Sequence, residues 1–245
     1  MKVGLCFCLN YEGTSHQVSG LDKSMEKMKE FLENKLKFDK VQTFYDKEAT
    51  RNQFIQSVLE NLADENVENL FIYRAGHGFS IKNENTTEKS GTDQGFKFWD
   101  SFLIDDKMRE MLGRSRKNQK IFILTESCHS GTSCDLNFVY EITENGFEKE
   151  RLYKRDIPAK VVHISGCPDD KSSFTLPTGG VLSTLFIKHV SNALEKPRLT
   201  YFDLINNLRQ EAVRFQIPQI TSTFKLDKET CFMVEKSNTK PFVKI

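Results

Sequence analysis

The feature that most constrains the fold of this 245-residue chain is a regular alternation of short apolar runs with segments that carry an apolar stripe at helical spacing. Five runs have the length of a buried strand: 2–9, 41–45, 69–73, 120–125 and 160–165. Continuous apolar runs are typical of strands covered on both faces, and strands that alternate with helices form mainly parallel sheets. We therefore predict an α/β fold, with a sixth strand at 231–234.

The segments between these runs predict helices. Apolar residues from Val18 to Leu36 recur at intervals of three and four, which indicates an amphipathic helix. A second helix is predicted around 182–190. Two more are indicated by a hydroxyl side chain that is followed three positions later by a residue suited to capping the first turn: Thr50 with Gln53, and Thr200 with Asp203.

Composition and charge exclude several classes of function. Lys plus Arg total 35 and Asp plus Glu 34, so a net charge of +1 gives no overall attraction to nucleic acid or to an anionic membrane. The apolar runs are far shorter than the ~20 residues of a membrane-spanning helix, and the N-terminal run lacks the layout of a signal peptide. The six cysteines form no CxxC pair, which predicts reduced thiols in the cytoplasm and no zinc site.

Two predicted strands end in reactive side chains. His77 lies in the stretch Tyr-x-x-Gly-His-Gly after the third strand, and Cys128 lies in Glu-Ser-Cys-His-Ser-Gly after the fourth. If these strands are neighbours, both side chains meet at the carboxyl edge of the sheet, where such folds bind ligands. A thiol beside an imidazole can supply a nucleophilic thiolate near neutral pH. His129 is a weaker alternative as the base, because a residue adjacent to the nucleophile rarely points at the same atom. A thiol oxidoreductase is also a weaker hypothesis, because Cys134 is poorly spaced to act as a resolving cysteine.

The two stretches resemble the catalytic motifs of metacaspases, in the caspase-like clan of cysteine peptidases, which usually read Tyr-Ser-Gly-His-Gly and Asp-Ser-Cys-His-Ser-Gly. Residues 9–14, 165–173 and the pair 179–180 are similar to further family segments, so the resemblance covers nearly the whole chain. It implies a caspase-like sandwich, with a six-stranded, mainly parallel sheet and helices on both faces. It also implies one catalytic domain, 1–245, that consists of a large-subunit region (1–145), a linker loop (146–156) and a small-subunit region (157–245).

The family resemblance implies peptide-bond hydrolysis without an organic cofactor, by a monomer that acts on protein and peptide substrates. Cys128 is then the nucleophile, His77 the general base, and the backbone amides of Gly78 and Cys128 the oxyanion hole. The pocket for the residue before the scissile bond corresponds to four positions: Leu21, Ser24, Ala75 and Glu126. Glu126 stands where the family has Asp, which keeps the negative charge and predicts cleavage after Arg or Lys and never after Asp.

Other departures concern the support of that pocket. Leu21 and Ser24 stand where the family has Cys and Asp, and Arg74-Ala75 replaces a single Ser, which predicts an added residue or a shifted turn. These changes favour one alternative of another class, a weak or inactive caspase-like pseudoenzyme that serves as a binding or regulatory module.

Calcium and self-processing are two further properties that the resemblance implies. Four acids stand at or near positions where the family binds calcium: Asp93, Asp105, Asp106 and Asp135. Clustered carboxylates repel one another unless a cation lies among them. The charged segment 141–156 is predicted as an exposed loop, with four basic residues as sites of self-cleavage: Lys149, Arg151, Lys154 and Arg155. The polar segment 80–95 is predicted as a second loop.

Overall fold

A computed structural model describes residues 1–82, 92–128, 130–143, 146–152, 156–168, 175–194 and 198–232. Its strands are β1 (Lys2–Cys8), β2 (Lys40–Tyr45), β3 (Asn69–Ala75), β4 (Gly78–Lys82), β5 (Thr92–Lys97), β6 (Phe102–Ile104), β7 (Lys120–Glu126), β8 (Phe138–Thr143), β9 (Gly146–Arg151), β10 (Lys160–Ser165), β11 (Thr175–Leu176), β12 (Gly179–Gly180) and β13 (Gln219–Ser222). Its α-helices are α1 (Leu21–Glu30), α2 (Arg51–Ala63), α3 (Asp105–Leu112), α4 (Val181–Ala193) and α5 (Tyr201–Ala212).

One eight-stranded sheet organises the molecule, in the order β2-β1-β3-β7-β10-β13-β8-β9. The first five strands of that order run parallel, as the apolar runs predict. The other three are antiparallel to their neighbours. Strands from both the front and the back of the chain therefore belong to the same sheet.

Helices cover both faces of the sheet, as predicted. On one face, α1, α4 and α5 bury residues such as Met28, Phe186 and Leu204 against the sheet. On the other face, α2 and α3 bury residues such as Phe54 and Met108. Burial on both sides explains why the parallel strands are almost uninterrupted apolar runs. Among the described residues, no helix is long and apolar enough to cross a membrane.

The two predicted caps are confirmed: the Thr50 Oγ1 atom accepts a hydrogen bond from the Gln53 amide, and the Thr200 Oγ1 atom accepts one from the Asp203 amide, both at 3.1 Å. The stripe from Val18 to Leu36 is only partly one α-helix. The α-helix ends at Glu30 and continues as a π-helical turn, Phe31–Lys35, in which the Leu36 amide bonds to the Phe31 carbonyl.

The prediction of the sixth strand was wrong. The strand beside β10 is β13, whereas Cys231 forms only an isolated bridge with Thr200; residues 233 and 234 lie outside the described residues. β13 is not an apolar run, because it contains the hydroxyl residues Thr221 and Ser222, so the sequence pattern does not predict it. Both side chains are buried and hydrogen-bonded across the sheet, to His163 and Tyr140 respectively.

Two segments predicted as loops contain antiparallel strands. In segment 80–95, β4 pairs with β5 on either side of residues 83–91, which lie outside the described residues. In segment 141–156, β8 and β9 form a hairpin at the edge of the sheet. Tyr140 is buried and packs on Phe147, while residues 148–150 are exposed. High charge density is common on edge strands because it blocks pairing with another chain.

Candidate active site

The strands that carry His77 and Cys128 are neighbours, as the motif prediction requires. β3 pairs in parallel with β7, and Ala75 lies opposite Glu126. The two turns touch directly: a Cβ atom on Gly78 would lie 1.9 Å from the Cys128 carbonyl oxygen, so only glycine allows this approach. Together they open into a cleft of about 320 Å³, whose described lining residues are Val18, Ser19, Leu21, Gly76, His77, Glu126, Ser127, Cys128 and Thr175.

The His77 ring is held in one orientation. Its Nε2 atom lies 2.7 Å from the His16 carbonyl oxygen. Because a carbonyl can only accept, Nε2 carries the proton and Nδ1 is the basic nitrogen. The ring also stacks on Tyr11, with the centroids 5.0 Å apart. Burial lowers the pKa of His77, and the positive charge of Arg74 acts in the same direction. The imidazole is therefore neutral near pH 7 and can accept a proton.

The turn that holds Cys128 is fixed by hydrogen bonds to its backbone. The Ser130 hydroxyl donates to the Ser127 carbonyl at 2.7 Å, and the Cys167 thiol donates to the same oxygen at 3.5 Å. The Gly76 amide donates to the Glu126 carbonyl at 3.1 Å and joins this turn to the one before His77. The thiol of Cys128 is partly exposed to the cleft.

Glu126 lines the cleft, but its carboxylate is bonded to its own chain. It is 2% exposed and accepts from the Tyr73 hydroxyl at 2.9 Å, the Ser183 hydroxyl at 2.7 Å and the Leu182 amide at 2.7 Å. The last two groups belong to the first turn of α4, whose dipole favours an anion. Burial raises the pKa of Glu126, whereas these hydrogen bonds oppose the rise. A Cβ on Gly180 would lie 1.9 Å from the carboxylate, so glycine is needed there.

The other three predicted pocket residues are placed differently. Leu21 lines the cleft. Ser24 is buried, and its hydroxyl accepts from the Gly180 amide at 2.7 Å, so it supports the segment before α4. Ala75 is buried within β3 and is not among the described residues that line the cleft. Up to Ala75, β3 keeps one-to-one register with both neighbours, so the predicted added residue or shifted turn is not within the strand.

Sequence reasoning missed the residues that hold the site together. The contact of His16 uses its carbonyl, a group that every residue has, so no motif could mark it. Tyr11 adopts a positive φ of 53° and lies under His77, yet its position is set by tertiary contacts. The role of Ser183 depends on the start of α4, which brings its hydroxyl to the Glu126 carboxylate.

Two of the four predicted calcium ligands, Asp106 and Asp135, are held by one basic side chain. Arg109 pairs with Asp106 at 2.6 Å and with the buried carboxylate of Asp135. Asp105 accepts from the amides of Gln94, the residue after Asp93, and of Asp106, both at 2.9 Å. Among the described residues, no group of three His, Cys, Asp or Glu is arranged to hold a metal ion. The arrangement does not fit calcium, because the guanidinium already supplies the cationic charge.

Calorimetric titration is therefore expected to show no calcium binding to the wild type, and a chelator is expected to leave its activity unchanged. Removing the guanidinium in Arg109→Met should lower the free energy of unfolding by about 1–3 kcal/mol, since hydrogen-bonded charges lose their partner, and added calcium should restore part of it. Arg114→Met, whose exposed side chain pairs with Glu110, is the control. Calcium-dependent activity of the wild type would show that the ion displaces Arg109 from Asp106 and Asp135.

The predicted processing residues lie in or after the hairpin. Lys149 is exposed on β9 opposite Tyr140, and Arg151 is the last residue of that strand, opposite Phe138. Lys154 and Arg155 lie outside the described residues, as does His129.

Comparison with known proteins identifies the family. The model of the caspase domain matches residues 1–228, so the chain belongs to the caspase-domain family of peptidases. Metacaspase-1 of Plasmodium falciparum is 28% identical over 234 residues, which cover 84% of this chain and 37% of that protein. Metacaspase-3 of Arabidopsis thaliana is 28% identical over 223 residues, which cover 81% and 61%. The chain thus spans between 37% and 61% of the length of these two relatives.

Solved structures confirm the predicted fold class. A structural-genomics protein from Geobacter sulfurreducens superposes with a TM-score of 0.70 at 20% identity, over 93% of this chain and 95% of that one. Caspase-1 from Spodoptera frugiperda gives a TM-score of 0.60 at 14% identity, over 91% and 88%. The fold is therefore caspase-like, with eight strands in its main sheet where six were predicted.

Proposed function

We propose that this chain is a cysteine endopeptidase of the metacaspase type that cleaves after Arg or Lys with Cys128 as nucleophile and His77 as general base. The observation that carries the proposal is that both side chains line one cleft while His77 Nε2 is bonded to the His16 carbonyl. That bond leaves Nδ1 as the proton acceptor, which is the role a catalytic base requires.

In this mechanism His77 Nδ1 takes the proton of the Cys128 thiol, and the sulfur attacks the carbonyl carbon of the scissile bond. The amides of Gly78 and Cys128, whose backbones are in contact, stabilise the oxyanion. The imidazolium then protonates the leaving amine, and the peptide bond breaks to leave a thioester. Water, deprotonated by the same imidazole, hydrolyses the thioester and regenerates the thiol.

The preference for Arg or Lys is proposed from Glu126, the only carboxylate among the described residues that line the cleft. Its hydrogen-bond donors stabilise the anion in a buried place. A substrate cation entering the cleft would meet this charge away from bulk water, where ion pairs are strongest. The side chain of Asp would meet the same charge and be repelled.

The same hydrogen bonds favour the alternative, a pseudoenzyme in which Glu126 only anchors α4. A covalent probe that joins an electrophile to a basic residue separates the two hypotheses. An active peptidase should be labelled at Cys128, with labelling lost in His77→Ala and much weaker for the matched probe that carries Asp. Labelling that is insensitive to His77 would favour the pseudoenzyme.

Self-cleavage after Lys149, Arg151, Lys154 or Arg155 remains part of the proposal. Peptidases of this kind bind extended segments, and β9 is already paired with β8, so cutting at Lys149 requires the edge strand to detach first. Incubated wild-type protein should therefore yield fragments that are absent from Cys128→Ala. We expect Lys154→Ala/Arg155→Ala to reduce cleavage more than Lys149→Ala does. Fragments that also arise in Cys128→Ala would show that another protease made them.

The cytoplasm and the monomeric state are also proposed. No disulfide joins the cysteines within the described part of the chain, which suits a reducing compartment. The β8–β9 hairpin covers one edge of β13, so this edge is not open to a second copy.

A further inference from the structure

Arg74 is a buried cation at the catalytic edge of the sheet for which the described residues supply no carboxylate. Its side chain is 1% exposed, and its Cζ atom lies 4.9 Å from the ring centroid of Phe96 and 5.6 Å from that of Phe98. Its Nε and Nη1 atoms are buried and have no hydrogen-bond partner within the described structure. A guanidinium buried in this way destabilises the fold unless another interaction compensates.

The remaining nitrogen of Arg74, Nη2, donates hydrogen bonds to groups in and around the turn that contains His77. Nη2 donates to the His77 carbonyl at 2.8 Å, to the Tyr11 hydroxyl at 3.3 Å and to the Lys97 carbonyl. The Tyr11 oxygen in turn accepts from the His77 amide at 3.0 Å. Gly76 permits this arrangement, since a Cβ there would lie 2.9 Å from the Tyr11 oxygen and 3.3 Å from Nη2.

Hydrogen bonding alone does not account for a charge at this position. The His77 carbonyl also accepts from the Lys97 amide at 3.0 Å, and the Lys97 carbonyl also accepts from the Tyr11 hydroxyl at 2.7 Å. Both carbonyls would therefore keep a partner if position 74 were neutral. What a neutral residue could not supply is the positive charge beside the turn of His77.

We propose, on the basis of the peptidase function above, that Arg74 is a positioning residue whose positive charge, held against the His77 carbonyl, keeps His77 unprotonated. Other charged or titratable groups that the described residues place around Arg74 and the pair are Cys8 at the end of β1, His16 and Tyr11 after it, Lys97 at the end of β5, and Glu126 at the end of β7. Burial lowers the pKa of His77, the hydrogen bond to the His16 carbonyl opposes that shift, and the charges of Arg74, His16 and Lys97 lower the pKa further. Burial lowers the pKa of Arg74 itself, and Tyr11 opposes that shift.

The test measures the pH dependence of Cys128 alkylation by iodoacetamide in a Cys231→Ala background. In the described structure the other four cysteines are buried, so this background isolates Cys128. Arg74→Met should move the alkylation midpoint and the acidic limb of kcat/KM to higher pH by about one unit, since the removed cation no longer disfavours the imidazolium form of the base. At pH 6, kcat/KM should fall about tenfold.

Two matched variants separate charge from hydrogen bonding. Arg74→Lys keeps the charge and should retain the wild-type midpoint with a lower kcat. Tyr11→Phe removes the hydroxyl that accepts hydrogen bonds from both Arg74 and the His77 amide. It should lower kcat without moving the acidic or the basic limb of the pH profile. Should Arg74→Met not fold, Arg74→Gln replaces it in the comparison.

An unchanged midpoint in the neutral variants, or an equal shift in Arg74→Lys, would overturn the proposal. Alkylation needs no turnover, so a protein that proves not to cleave peptides would still give this answer.

Discussion

Cys128→Ala is expected to abolish peptide cleavage while the protein stays folded. The thiol supplies the only proposed nucleophile in the cleft, and without it no thioester can form. His77→Ala should lose nearly as much, because a nucleophile and its base act as a unit and removing either removes most of the rate. A fall in kcat of roughly a thousandfold or more is expected for each variant, measured on peptides with Arg before the scissile bond.

Cys231→Ala is the matched control for this loss. Cys231 is exposed and lies outside the described lining of the cleft, so its removal should leave kcat unchanged. Circular dichroism and thermal unfolding should not distinguish Cys128→Ala from the wild type, because the Cys128 side chain lies at the surface of the cleft. Full activity in the Cys128 variant would refute the assignment of the site.

Glu126→Gln should lower kcat/KM for Arg substrates about ten- to a hundredfold, which corresponds to about 1–3 kcal/mol of lost transition-state binding to a charged group. The amide keeps the size of the carboxylate but carries no charge, so it cannot form an ion pair with a guanidinium. Substrates with a neutral side chain at the same position should change much less. The comparison of the two substrates separates lost charge from lost stability.

Tyr73→Phe is the control that keeps the charge. It removes one of the hydroxyls that bond Glu126, so it should affect thermal unfolding more than the preference for Arg. If Glu126→Gln cleaves Arg substrates as well as the wild type does, the carboxylate only anchors the start of α4 and does not bind substrate. Efficient cleavage after Asp by the wild type would contradict the proposed pocket.

The sequence predicted the parallel half of the sheet because four of its five strands are buried apolar runs, while β2 at the edge is half-buried but still carries Val, Phe and Tyr. It also predicted that His77 and Cys128 would share one edge, since their strands are adjacent and parallel. The sequence did not predict the strands that combine apolar with polar or charged residues. β13 contains buried hydroxyls whose hydrogen bonds are visible only across the sheet, and β9 has the charges of an exposed edge.

The support of the site was the least predictable part. Glu126 was expected to face a substrate, but its orientation depends on where α4 begins, more than fifty residues later. No motif marks Arg109 as a partner of the acids, which lie three residues before it, at Asp106, and twenty-six after it, at Asp135. Side-chain pairing over such distances follows from tertiary structure, which motif spacing does not encode.

The order of strands in the main sheet has a consequence for any cut chain. β10 and β13 lie between β7 and β8, although β7, β8 and β9 all precede them in sequence. A break after β9 would leave the later fragment inserted between strands of the earlier one, bonded along β7 on one side and β8 on the other. The nicked protein would therefore elute as a single particle and come apart only in denaturant. The two halves, if expressed separately, would be expected to reassemble by strand pairing.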